Sequence, residues 1–254
     1  MSYVAVSALS HPGLLRDKNE DSLVAGPWTL CATVTENPQT LVFPLGTPLV
    51  VAVADGLGGH PGGEVASALV ARRFAALGPA LGSEEAVRGA VDSCNRAVYA
   101  AAEGGDEEGH GLAMMGTTVA GAVLLPEELL VFNVGDSRVF AAPPSGLRQV
   151  SVDDSPPLAP GQRTTSLVTQ CLGGSPHFRA VVPHVRATPL SPGDRYLVCT
   201  DGLTDPVPED TIDAVLREHD DGRAAFELWK AAISAGGPDN ITLAVVRVAG
   251  DQDD

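Results

Sequence analysis

PLVVAVADG (residues 48–56) and RYLVCTDG (residues 195–202) are two versions of one device, an apolar strand that ends on Asp-Gly. The apolar runs, Val50–Ala54 and Tyr196–Thr200, are too continuous for a strand with one face in water, so each reads as buried on both faces. Such a strand cannot carry a charge in its middle. Its tip is where a carboxylate can be held rigidly and still reach solvent or a cation. The glycines after Asp55 and Asp201, Gly56 and Gly202, are expected to let the chain turn sharply and to expose their carbonyls. Three further acidic tips fit the scheme: Pro238-Asp239-Asn240 leading into ITLAVV, Asn133-Val134-Gly135-Asp136-Ser137 between two short strands, and Glu20-Asp21 ahead of Leu23-Val24. Taken singly, Asp-Gly is a common hairpin corner. Converging at one end of a sandwich, these tips would gather oxygen ligands with no His or Cys among them. That donor set suits Mg²⁺ or Mn²⁺ and not Zn²⁺ or Cu²⁺. Asp221-Gly222 follows no apolar run and reads as a plain helix-to-helix turn.

Around these tips, β-rich runs fall at Tyr3–Leu9, Thr29–Thr35 and Pro48–Ala54, followed by helical stretches Glu64–Leu77 and Glu84–Ala102. The first helix places Val65, Leu69, Val70, Phe74 and Leu77 on a broad apolar face. The second follows Ser83 and carries Glu84 and Glu85 in its first turn, where acids suit the macrodipole. After a polar loop, Glu103–Gly111, strand patterns resume at Thr117–Leu125, Leu129–Asn133, Arg138–Ala142, Arg179–Ala187 and Arg195–Thr200. Helical Asp210–Glu218 and Ala224–Ala235 then precede a last strand, Ile241–Val248, while Pro156–Thr169 reads as an irregular surface flap. Strands followed by helix pairs, twice over, argue against an alternating parallel sheet. The expected class is α+β, a four-layer α-β-β-α sandwich of two antiparallel sheets flanked by helices. One domain, residues 1–250, with a short acidic tail at 251–254, is the expected organisation.

The composition bounds the partners. With 254 residues, 44% of them apolar and 19% charged, the chain can bury a proper core, which excludes a disordered or fibrous protein. Sixteen Lys and Arg against 32 Asp and Glu leave a net charge of −16, which repels nucleic acid and anionic membranes. No run approaches the roughly 18 apolar residues of a membrane span, and no signal-peptide pattern opens the sequence, so a cytoplasmic protein is expected. Cys31, Cys94, Cys171 and Cys199 are far apart with no C-x-x-C pairing, and read as reduced residues without zinc or redox chemistry.

The order of motifs is distinctive: Gly13-x-x-Arg16-x-x-Asn19-Glu20-Asp21; Asp55-Gly56-Leu57-Gly58-Gly59-His60-x-x-Gly63; Gly116-Thr117-Thr118; Asn133-Val134-Gly135-Asp136-Ser137-Arg138; Thr200-Asp201-Gly202; Asp239-Asn240-Ile241-Thr242. From residue 10 to 248 it resembles the metal-dependent protein serine/threonine phosphatase family, the protein phosphatase 2C type, in its compact bacterial form. The resemblance implies a binuclear Mg²⁺/Mn²⁺ centre at one edge of the sandwich, with Asp55 bridging both ions and the Gly56 carbonyl, Asp201 and Asp239 completing the shell. Glu20 and Asp21 would act beside them through water. A third, weaker ion would fall to Asp136 and Asp201, joined by Asp153 from the VDDS segment. Arg16 would receive the phosphate, since a planar fork binds two phosphoryl oxygens at once. Gly116–Thr118 and Asn240–Thr242 read as supports.

The implied activity is hydrolysis of phosphoserine and phosphothreonine by a metal-activated water, with no protein nucleophile. Implied partners are phosphoprotein substrates, including a Ser/Thr kinase or its targets, in a monomeric signalling enzyme. Three positions depart from the pattern. Leu57 stands where animal members have a His that protonates the leaving group; His60 or metal-bound water is left for that role. Asp154 replaces the His of the usual Asp-His-Ser. The flap after Ser155 is short and rich in proline and glycine, and flaps of this kind help choose substrates. Two other functions stay open on the same fold, a non-catalytic regulatory module and a hydrolase of small phosphate esters.

Overall fold

A computed structural model describes residues 2–57, 62–104, 114–157, 164–165 and 167–250. One six-stranded sheet is formed by β1 (Tyr3–His11), β4 (Gln39–Pro44), β9 (Arg138–Ala141), β10 (Arg148–Gln149), β13 (Arg195–Cys199) and β14 (Ile241–Ala249), in the order β10-β9-β13-β14-β1-β4. The other contains β2 (Ser22–Ala25), β3 (Trp28–Cys31), β5 (Leu49–Ala54), β7 (Val119–Leu124), β8 (Glu128–Val134) and β12 (His184–Pro189), in the order β12-β8-β7-β5-β2-β3. A two-stranded ribbon joins β6 (Gly116–Thr117) to β11 (Leu172–Gly173). All pairings between these strands are antiparallel.

Helices α1 (Gly63–Leu77) and α2 (Glu84–Gly104) cover the second sheet; α4 (Glu209–Glu218) and α5 (Asp221–Ser234) cover the first, and a single turn, α3 (Asp201–Thr204), follows β13. Three apolar layers result, one between the sheets and one under each helix pair. This is the α-β-β-α sandwich. It also explains why the central strands read as unbroken apolar runs: β5, β7 and β13 are buried at every position, because each sheet is covered on both faces.

The expected elements are present, with instructive differences. Strands β2 and β4 fall outside the expected runs: β2 has four residues, and β4, which holds the apolar stretch Leu41–Pro44, alternates exposed and half-buried positions at a sheet edge. Only His184–Ala187 of the expected Arg179–Ala187 strand is paired, and Thr29–Thr35 stops at Cys31. Helix α1 packs through Ala66, Ser67, Val70, Ala71 and Phe74, and Val65 is exposed. Its inward stripe is set by small residues that allow close approach to the sheet, where Phe74 stacks on Phe132 of β8 at 5.0 Å. The loop at 103–111 and the flap lie largely outside the described residues, as does the tail at 251–254.

Candidate metal centre

All the acidic tips lie at one end of the sandwich, because the strands that carry them alternate in direction. β5 ends there on Asp55, β13 ends there on Asp201, and β14 starts there after Asp239. The segments 12–21 and 135–137 cross from one sheet to the other at this same end, carrying Arg16, Glu20 and Asp21, and Asp136. The mouth between the sheets is therefore rimmed by every described residue that the sequence nominated. His60 lies outside the described residues.

Polar cross-links hold the frame. Asp55 donates its backbone N–H to Thr118 Oγ1 (3.2 Å), and its carbonyl accepts from Thr117 Oγ1 (2.8 Å) and Thr118 N (2.9 Å). Thr118 Oγ1 lies 2.8 Å from Ser137 Oγ, which ties β5 to the Asp136 turn. Beneath the mouth, Asn19 accepts from Asp21 N and donates to Ser10 Oγ, Ser10 Oγ meets Thr242 Oγ1 at 2.7 Å, and Thr200 Oγ1 donates to Asp21 Oδ2 at 2.9 Å. Asn240 stitches the crossing loop down, accepting from Glu20 N and donating to the carbonyls of Pro12 and Lys18.

The two glycines work differently from the sequence expectation. Neither Gly56 nor Gly202 has positive φ. What each requires is the absence of a Cβ: at Gly56 it would stand 2.6 Å from the Gly63 carbonyl oxygen and 2.7 Å from that of Glu20, and at Gly202 it would run into the Asn240 carbonyl. The neighbouring backbones pack through the glycines and so fix the spacing between aspartate-bearing segments. After Asp201 the chain turns directly into α3, which puts Asp205 one turn below Asp201.

Electrostatically, the mouth is an excess of carboxylates. Burial, with Asp201 and Asp21 close by, holds Asp55 well above the usual carboxylate range, and burial likewise raises Asp201. Asp136 is pushed up to about 7 by burial and then by Asp201; Asp21, fully buried, goes up to about 8 by burial despite its Thr242 and Thr200 hydrogen bonds. Glu20 is raised by burial and by Glu64. Against them stands Arg16, whose Nη2 reaches Asp239 Oδ2 at 2.7 Å; burial works against its charge, but Asp239, Glu20 and Asp55 hold it above its ordinary value. Two like charges about 4 Å apart repel by about 4 kcal/mol at an effective dielectric of 20. Accordingly, among the described residues no three acidic, His or Cys side chains are already drawn to ligating distance of one point.

The residues nevertheless fit a hard divalent cation. Asp21 Oδ1 and Asp201 Oδ1 are buried oxygens without a hydrogen-bond partner, the donors around them are all oxygens, and the mutual repulsion is of the kind a cation relieves. One expected contributor is turned away. Asp153 is held by Arg138 (2.7 Å) and Gln149 (2.6 Å), although it borders the hollow with Asp136 and Asp201. Asp205, which the sequence reading overlooked, lines that hollow as well, and burial followed by Asp201 pushes it up to about 6. Its four-residue spacing from Asp201 was the available clue. Asp154, in the place of the usual His, is buried and accepts from Gly135 N (3.0 Å), Gln170 Nε2 (2.8 Å) and His184 Nε2 (3.0 Å). It anchors the foot of the flap to β12 and the Asp136 turn.

The sequence profile of the family described as protein phosphatase 2C matches residues 42–232. The chain belongs to this family. It is 33% identical over 95% of its length to the serine/threonine protein phosphatase PstP of Mycobacterium tuberculosis and spans 44% of that relative. It is 30% identical over 78% of its length to the serine/threonine phosphatase Stp of Listeria monocytogenes, spanning 83% of it. The crystal structure of the M. tuberculosis phosphatase PstP superposes with a TM-score of 0.80 at 31% identity, covering 98% of this chain and 100% of that one. The catalytic domain of PstP, in a complex with two manganese ions, superposes with a TM-score of 0.77 at 30% identity, with 98% and 100% coverage.

Proposed function

We propose that the chain is a metal-dependent protein serine/threonine phosphatase whose centre holds two manganese or magnesium ions. The observation that carries this is the mouth itself, where Asp55, Asp201, Asp136 and Asp239 meet with two buried oxygens unpartnered and Arg16 at the rim. Asp55, Asp201, Asp239 and the Gly56 carbonyl would hold the ions, with Glu20 and Asp21 behind them and Asp136 and Asp205 at an adjoining position. Bound there, divalent cations would offset the charge on the phosphoryl oxygens and lower the pKa of water toward neutrality.

The remaining work falls to the chain. Arg16, 44% exposed on its side chain, lies where its guanidinium can leave Asp239 for a phosphate and bind two oxygens in one plane. Asn240 and the Ser10–Asn19–Asp21–Thr200–Thr242 network keep the acidic tips from moving apart under their own repulsion. Asp154 fixes the foot of the flap beside the mouth. The full reading includes phosphoprotein substrates, an opposing Ser/Thr kinase among them or acting on them, a role in signalling, a monomer and a cytoplasmic location. The free cysteines accord with a reducing compartment, and no helix among the described residues is long and apolar enough to cross a membrane.

The test is turnover of p-nitrophenyl phosphate and of a phosphothreonine peptide with Mn²⁺, then with EDTA. Turnover of both, abolished by EDTA, is expected. Turnover of the small ester alone would assign the chain to small phosphate esters, and no turnover by folded, Mn²⁺-supplemented protein would make it a non-catalytic member.

A further inference from the structure

Along one open side of the sandwich the charge changes sign. The sandwich is open along one side, where β10 is the edge strand of one sheet and β12 the edge strand of the other. Two hollows of about 330 and about 780 Å³ lie along this side and share Val150 and Arg186 as walls, so they form one elongated groove. It starts beside His184 and Asn133, at the foot of the flap, and ends at the start of β13 against the C-terminal turn of α4. Six of the chain's 16 basic side chains line it: Arg88, Arg148, Arg186, Arg195, Arg217 and Arg247. Among the described residues Asp194 is the one carboxylate in its walls, and it accepts from Tyr196 Oη and Ser191 N.

These arginines divide by task. Arg195 and Arg247 face each other across β13 and β14, and both lean on Asp221; Arg195 also caps the carbonyls of Leu216 and His219 at the end of α4. Arg217 pairs with Asp213, and Arg88 with Glu84. Arg148 and Arg186 are exposed, one on each edge strand, and have no ion pair among the described residues. Among the described residues their side chains make no hydrogen bond that the fold requires. On a surface with a net charge of −16, two unpaired arginines facing one groove are a local reversal of sign.

We propose that this groove docks an acidic, extended segment of a partner protein. Arg88 already donates to the carbonyls of Pro183 (2.7 Å) and Val185 (3.2 Å) at one end of β12; beyond them the edge strand offers backbone groups to an added strand, and the arginines on both walls supply the charge complement. β12, with six residues at roughly 3.3 Å each, matches a segment of about that length. A nucleic acid duplex or a bilayer would extend past the groove onto the acidic surface around it and be repelled, whereas a short peptide would not. A segment docked here reaches the foot of the flap, so the groove would hold a partner close to the mouth without using any residue of the metal centre. The proposal does not depend on the phosphatase reading, because binding is measured without metal or turnover.

The test is fluorescence anisotropy of a fluorescein-labelled octapeptide of alternating Glu and Ser, titrated with the full chain in EDTA at low salt. Arg148→Glu with Arg186→Glu is expected to weaken binding at least about tenfold, since two attractive contacts become repulsive. Arg72→Glu with Lys230→Glu, the same charge change on α1 and α5, is expected to leave binding within about twofold. The Arg148/Arg186 double variant is also expected to keep its melting temperature and its turnover of p-nitrophenyl phosphate. Equal loss in both double variants, or no loss in either, overturns the proposal. So does tighter, arginine-dependent binding of a single-stranded DNA oligonucleotide or of phosphatidylserine vesicles. If the peptide binds only to a full chain with Asp251, Asp253 and Asp254 changed to Asn, the groove belongs to the chain's own acidic end and the proposal fails.

Discussion

The two ends of the sandwich are built from the same strands and do opposite things with charge. At the Asp55 end, carboxylates are crowded until burial and each other's fields raise them above the usual carboxylate range. At the Arg195 end, two arginines sit directly across a strand pair, and Asp221, half-buried between them, bridges both at 2.8–2.9 Å. One end is left electrostatically unsatisfied and the other is satisfied. The first is poised for a ligand of opposite charge; the second closes the fold, joining β13, β14 and the α4–α5 turn. Asp221-Gly222, a plain helix-to-helix turn by sequence, is instead the start of α5, capped by Asp220, and its aspartate clamps the two strands.

Substituting an aspartate at each end should give opposite results. Asp55→Asn is expected to cut Mn²⁺-dependent turnover by at least roughly 10³-fold, about 4 kcal/mol at 1.4 kcal/mol per decade, while raising the melting temperature in EDTA because it removes a repelling charge. Asp221→Ala is expected to cost about 3 kcal/mol in urea unfolding, since it strands two arginines, yet to leave Mn²⁺ affinity and turnover at 25 °C unchanged. A loss of stability in the first variant or of metal affinity in the second would break the division. Within the acidic end, Arg16→Ala is expected to raise KM about tenfold with a smaller fall in kcat, measured with p-nitrophenyl phosphate. A fall in kcat alone would remove Arg16 from phosphate binding.

The smallest effect concerns pH. Asp21, Asp136 and Asp205 have folded-state values raised to about 8, 7 and 6, so their protonated forms favour the fold. That contribution is whole below the unfolded value near 4 and fades as pH rises through the folded values. In EDTA the melting temperature is therefore expected to fall between about pH 5 and pH 8, and Mn²⁺ at pH 8 to restore it. A flat profile in EDTA would mean that the mouth is better solvated than its burial implies.

The acidic end was legible in the sequence because each of its tips is local: an apolar run and the Asp-Gly or Asp-Asn next to it are neighbours in the chain. Asp205 escaped notice because it follows a helical turn that no apolar pattern announces, and the engagement of Asp153 by Arg138 and Gln149 depends on a partner chosen by β9–β10 pairing. The groove was illegible for the same reason: its arginines come from positions 88 to 247, and only the edge positions of β10 and β12 bring them together. Strand β4 carries the apolar stretch Leu41–Pro44 yet lies half exposed at an edge, so the burial that marks the central strands does not follow from its composition.

The polar stitch under the mouth spans nearly the whole chain: Ser10 meets Thr242, Glu20 leans on Asn240, and β1 pairs with β14 along nine residues. A nascent chain therefore cannot assemble the centre early. Until β14 has left the ribosome, Asp239 has no place, residues 12–20 have no anchor, and the acidic tips already made have nothing to hold them together. Contacts of such long sequence separation also make folding slow. The first moment at which the centre can take a cation is thus set by synthesis of β14, and no nascent product that ends before it carries the centre.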